Sequence, residues 1–321
     1  MAPQVQTRRP APVPPPTEPK MTLATVLRGV IDVPKRTLLY GVEGIGKTSF
    51  GANAPAPIFI GAEEGFGLLD VDRFPQPESF DQVREAVRTL RTDAHDYKTL
   101  VLDTLDWVEP LIWRYICERD NQANIEAYGY GKGYTAALDE WRALLNDLEL
   151  LRAAKRMEIV MLAHSWIKPF KNPEGDDFDR YELKINNKAA GLVKEWADVV
   201  LFANHETFAV KDRNKRVRGV STGARLCFAT RTAAYDAKNR YALPDSFPLD
   251  WAEYAAALKS GPDPLALAEE IKRKAAELGG EIEEKAVALL GQSLGNATKL
   301  AQINNRLNAR LAEKSAAAEV A

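Results

Sequence analysis

The chain has 321 residues, 45% hydrophobic and 27% charged, proportions that suit a globular protein with a sizeable core. Its formal net charge of -2 and pI near 6.1 exclude a globally basic nucleic-acid binder, so any such contact must come from local loops. Two separated cysteines, Cys117 and Cys227, and three scattered histidines, His95, His164 and His205, argue against a disulfide framework and against structural zinc. No apolar run is long enough for a bilayer and the N-terminus lacks an apolar leader, so the expectation is a soluble cytoplasmic protein without a membrane partner.

Residues 1–20 are dense in proline and read as an extended, solvated tail. From 21 to 260 strand and helix patterns alternate, as in an α/β fold with a mostly parallel central sheet and helices on its faces. Strands are expected at 36–40 (RTLLY), 57–60 (PIFI), 99–102 (TLVL), 158–162 (EIVML) and 198–202 (DVVLF). Helices are expected from Thr48, after a capping box of Ser79 and Gln82, from 104 through Trp113, along Leu138, Trp141, Leu144, Leu145, Leu148 and Leu151, and at 188–196. A glycine- and tyrosine-rich loop at 127–134 and a polar loop from about 163 to Asn187 interrupt them. Antiparallel strands near 207–211, 217–220 and 225–230 finish one edge of the sheet. After Pro262 and Pro264, residues 261–321 read as a helical extension of short helices with a frayed end.

The most specific motif is Gly41, Val42, Glu43, Gly44, Ile45, Gly46, Lys47, Thr48, followed by Ser49. It fits G-x-x-x-x-G-K-[ST] and lies between a strand and a helix, where a phosphate-binding loop must lie. The glycines let backbone N–H groups turn inward around a phosphate, and the helix N-terminus adds positive potential. Lys47 is placed to meet the β- and γ-phosphate oxygens and Thr48 to ligate magnesium. Asp103 ends the third strand, at the crevice where such sheets bind ligands. It is a second magnesium group, a helix N-cap, or both; Asp106 is the alternative, a turn further on.

The strand before Asp103 ends Gly61-Ala62-Glu63-Glu64-Gly65, the fourth strand ends Ala163-His164-Ser165, and a late segment reads Asp236-Ala-Lys238-Asn-Arg240-Tyr. With the phosphate loop, these resemble the RecA-like ATPases. More narrowly, residues 35–255 look like phage-encoded single-domain RecA-like annealing recombinases and related nucleotide-binding proteins. The resemblance implies ATP and Mg2+ as cofactors. It makes Glu63 the base that activates water, with Glu64 as its neighbour, and puts His164 where the family carries a γ-phosphate sensor, usually glutamine. It also implies that Lys238 and Arg240 reach the γ-phosphate of the next subunit in a ring or filament.

The family binds single-stranded DNA through two loops. The first maps to Tyr128, Tyr130, Lys132 and Tyr134, the second to Trp166, Lys168, Phe170 and Lys171. Aromatic rings can stack on bases while lysines meet phosphate; the tyrosines can equally pack on the following helix. Lys211, Arg213, Lys215, Arg216 and Arg218 form a basic turn, read as solvated or as a backbone contact. The expected activity is a DNA-stimulated ATPase that promotes recombination or annealing, in the cytoplasm of a phage-infected bacterium, with an ssDNA-binding or replication protein as a further partner. A helicase or translocase, and a nucleotide-gated switch without nucleic acid, are the alternatives. The lack of a sizeable N-terminal domain speaks against a DnaB-type helicase.

Overall fold

The computed structural model describes residues 21–26, 33–61, 69–173, 175–211, 217–260, 264–293 and 297–320. The chain divides into two units. Met1–Val33 contributes, among the described residues, a single 3-10 turn at Leu23–Thr25. Pro34–Ala321 carries the sheet and the helices below.

Alternation of buried apolar residues explains why the sheet is covered on both sides. In β1 (Arg36–Gly41), Leu38 and Tyr40 enter one core while Leu39 enters the other. The same split recurs in β4 (Thr99–Asp103), where Leu100 and Leu102 oppose Val101. In β5 (Glu158–Phe170), Ile159 and Met161 oppose Val160 and Leu162. Parallel strands buried on both faces read as continuous apolar runs, and these do. One core is closed by α2 (Phe80–Thr92), α3 (Leu105–Arg119), α4 (Lys132–Lys155) and α5 (Asn187–Trp196). The other is closed by α1 (Lys47–Ala52) and α6 (Trp251–Ser260), through Phe50, Trp251 and Tyr254.

With β2 (Pro57–Gly61), β3 (Asp72–Arg73), β6 (Phe178–Leu183), β7 (Val199–Lys211), β8 (Val217–Phe228), β9 (Lys238–Asn239) and β10 (Ser246–Pro248), the strand order is β10-β8-β7-β1-β5-β4-β2-β3. Pairing is parallel from β7 across to β3, and β8, β9 and β10 add antiparallel pairs at the other edge. The fold is therefore a mixed α/β fold with a mostly parallel central sheet. The position of β5 matters most, because it lies between the strand that enters the phosphate loop and the strand that ends in Asp103.

Three expectations change. β5 does not end near Leu162 but runs on to Phe170 and folds back antiparallel on β6, pairing Ser165 with Leu183 and Phe170 with Phe178. The polar loop is thus largely a hairpin, held by ring contacts between Phe170 and Phe178 and by Arg180 over Phe170. The segments expected at 207–211 and at 217–220 and 225–230 belong to two long strands, β7 and β8, with β9 and β10 as short antiparallel additions. The C-terminal extension is a helical hairpin with a third arm: α7 (Pro264–Leu278), α8 (Gly280–Gly291) and the 24-residue α9 (Ala297–Val320). It buries its own core of Leu267, Ile271, Ala275, Leu290, Leu300 and Leu307. Among the described residues no helix is long and apolar enough to cross a membrane.

Candidate nucleotide site

The phosphate loop leaves the end of β1, beside Ala203 of β7. Gly41 is required there by close approach: a Cβ on it would stand 2.2 Å from the Ala203 carbonyl oxygen. Gly46 begins α1 with φ of 108°, a left-handed backbone that suits glycine. Lys47 is buried, and its ammonium donates to the carbonyls of Gly41 (3.3 Å) and Val42 (3.0 Å). It lies folded along the loop it serves.

Asp103 is buried at the end of β4 and accepts a hydrogen bond from the Thr48 hydroxyl at 2.7 Å. The two residues assigned to magnesium from the sequence are therefore in contact. The N-cap of α3 is Thr104, so Asp103 is the last residue of its strand and not the cap. Asp106, the alternative ligand, is committed elsewhere. Its Oδ2 lies 2.8 Å from His164 Nδ1 and its Oδ1 accepts the His164 backbone N–H at 2.9 Å. Burial pushes the Asp106 carboxyl up, but the hydrogen bonds it accepts from the His164 ring and backbone outweigh this and hold it below the usual carboxylate range. His164 itself is buried and pairs in register with Gly41, beside the phosphate loop.

Two contacts to the loop had no local sequence signal. Arg225 of β8 donates to the Ile45 carbonyl at 3.2 Å, and a Cβ on Gly46 would stand 2.6 Å from its Nη1. Lys184, just after β6, pairs with Glu43 at 3.2 Å and holds that carboxyl below its ordinary range. Only the tertiary fold brings a residue 180 positions away onto the loop.

Lys238 and Arg240 lie at the opposite end of the sheet within this chain. β9 pairs with Val199 and Val200 at the start of β7, four residue steps from Ala203, or about 13 Å along the strand. The Lys238 ammonium donates to the carbonyls of Lys194 (3.0 Å), Glu195 (2.8 Å) and Ala197 (2.6 Å), so it caps the C-terminus of α5. Arg240 reaches Asp198 at 3.3 Å and stays half-exposed. β9 is only two residues long and ends before Arg240.

The first expected DNA loop is largely folded. Tyr128 donates to the Ile116 carbonyl and to Asp120, and Tyr134 bonds Glu126 and packs edge-on against Trp113. Lys132 is the first residue of α4. Tyr130 alone of the three tyrosines projects fully into solvent, with φ of 48° between Gly129 and Gly131. In the hairpin, Lys168 sits over the Trp166 ring at 3.8 Å, and Trp166 and Ile167 are exposed. Lys171 pairs with Asp177 at 2.5 Å. Glu63, Glu64 and residues 212–216 of the basic turn lie outside the described residues.

No curated protein matches the chain in sequence. A solved structure, the RadB recombinase, aligns with a TM-score of 0.37 at 13% identity, covering 61% of this chain and 80% of that one. The AAA domain family matches residues 33–241. That span is well over half of the chain and contains the phosphate loop, Asp103 and His164, so the protein belongs to the AAA domain family of P-loop ATPases.

Proposed function

We propose that the protein binds and hydrolyses ATP with magnesium, assembles with copies of itself, and acts on single-stranded DNA in recombination or annealing. The observation that carries this reading is the 2.7 Å bond from Thr48 to Asp103, at the mouth of a loop whose lysine is buried. A hydroxyl and a carboxylate are hard oxygen donors of the kind magnesium takes, and here they already touch. Magnesium held there supplies charge neutralisation at the phosphate oxygens.

The rest follows from the chain's own groups. Loop N–H groups bind the β-phosphate, and Lys47 exchanges the Gly41 and Val42 carbonyls for phosphate oxygens. His164 stands on the neighbouring strand, at the rim where the terminal phosphate emerges. Glu63, from the resemblance, orients the attacking water. For a site completed by a neighbouring subunit, half-exposed Arg240 is the better candidate, since the Lys238 ammonium is engaged by three carbonyls. The candidate DNA surface is Tyr130 and, on the hairpin, Trp166, Ile167 and Lys168, where Tyr130, Trp166 and Ile167 are exposed and half-buried Lys168 lies over the Trp166 ring. Phage origin and a cytoplasmic setting belong to the same proposal.

The test is ATP hydrolysis with and without single-stranded DNA, followed by annealing and unwinding assays. Stimulated hydrolysis with annealing supports the proposal. Unwinding of a forked duplex turns it toward a helicase or translocase. No binding of single-stranded DNA at low salt, where phosphate contacts are strongest, refutes the DNA part and leaves a nucleotide-gated switch. Mixed Arg240→Ala and Glu63→Gln subunits should recover part of the activity if the site is shared.

A further inference from the structure

Asp106 and Glu109 stand one turn apart on α3, and each holds one foot of the β5–β6 hairpin. Asp106 takes both the backbone N–H and the ring Nδ1 of His164, where β5 passes the phosphate loop. Glu109 accepts the Asn186 backbone N–H with both oxygens, at 3.0 and 2.9 Å, just beyond β6. The Lys184 backbone N–H in turn donates to the His164 carbonyl at 2.9 Å. His164 is therefore fixed at its backbone and at one ring nitrogen.

We propose that Asp106 is a positioning residue for His164: it locks the imidazole in the Nδ1–H tautomer and leaves the Nε2 lone pair to accept a hydrogen bond from the water that attacks the terminal phosphate group of the nucleotide. An ionised carboxylate only accepts hydrogen bonds, so the nitrogen facing it must carry the proton. The same carboxylate holds the adjacent backbone, which fixes the ring's height on β5 as well as its tautomer. A glutamine at position 164 needs no such partner, because its amide carries donor and acceptor together. The acid on α3 is thus the counterpart of having histidine at this strand end. This inference rests on the nucleotide reading above.

Two measurements test it. In the wild-type protein, 15N spectra of the neutral His164 ring should show the proton on Nδ1; an Nε2–H tautomer overturns the proposal, and this readout needs no variant and no activity. In steady-state hydrolysis, Asp106→Asn should lower kcat roughly 10- to 100-fold with KM little changed, as loss of an orienting outer group does. The same substitution in an His164→Gln background should cost much less. Equal costs in both backgrounds, with melting temperatures matched, overturn a role exerted through His164. Lys47→Ala is the control: if it hydrolyses normally, the nucleotide reading fails while the tautomer result stands.

Discussion

Where β1 and β4 end and β5 passes between them, polar and charged groups are gathered beside the phosphate loop: Lys47 folded on its own loop, Thr48 on Asp103, His164 on Asp106. At the N-terminal ends of β1 and β7, comparable groups close on each other. Asp198 takes Arg36 through Nε at 3.0 Å, Nη2 at 2.6 Å and the backbone N–H at 3.2 Å, and Arg240 joins at 3.3 Å. Lys238 caps α5 beside them. The carboxyls report the contrast. Burial pushes Asp198 up, but Arg36 outweighs it and holds the group below its ordinary range. Glu109, on the site side, has no arginine partner among its contacts, and burial raises it to about 7. One rim is a closed electrostatic seam and the other is organised for something to bind.

The contrast can be broken experimentally, and the largest effect is expected at the closed rim. Asp198→Asn leaves a largely buried guanidinium underpartnered and should lower unfolding free energy by about 3 kcal/mol or more in chemical denaturation. Nucleotide affinity of the folded fraction should not change. Lys47→Ala should do the reverse, weakening ATP affinity on the order of 100-fold while unfolding shifts little. Equal damage by both variants to both readouts would erase the distinction between the rims.

Glu109 gives the pH signature. Its folded pKa of about 7 lies above the unfolded value of 4.5, so its contribution is fully present below 4.5 and is lost as pH rises through 7. Glu109→Gln keeps an acceptor for Asn186 and should remove that slope, gaining on the order of 2 kcal/mol relative to wild type at pH 8. Asp198 works in the opposite sense: its contribution is present above the ordinary aspartate range and falls away only in acid. A smaller effect is expected at Arg225. Removing its bond to Ile45 should weaken nucleotide binding roughly ten-fold, with partial recovery in Arg225→Lys. Smallest is Lys238→Met, which strips the cap from α5 and should cost about 1 kcal/mol of stability.

How much of this was legible in the sequence follows the range of the interactions. The strands around the phosphate loop, the helices α2 and α4 and the contact partners Thr48 and Asp103 each announce themselves within a few residues. The β5–β6 hairpin did not, because Pro169 and the charged residues of 171–177 mask the alternation that continues through Trp166 and Lys168. The tyrosines of 128–134 looked equivalent, yet Asp120, Glu126 and Trp113 decide which are held.

By itself, then, the sequence determined a glycine-rich turn between a buried strand and a helix, with lysine and threonine at its end and an acid closing a later strand. Those features need only local backbone geometry and burial. The tertiary structure decided which charge meets which. Asp106 was assigned to His164, Arg225 to the Ile45 carbonyl and Lys238 to the end of α5 by contacts spanning 58, 180 and 41 to 44 residues. Charged side chains are not specified by local periodicity, since any cation suits any buried acid until the chain brings one within hydrogen-bonding distance.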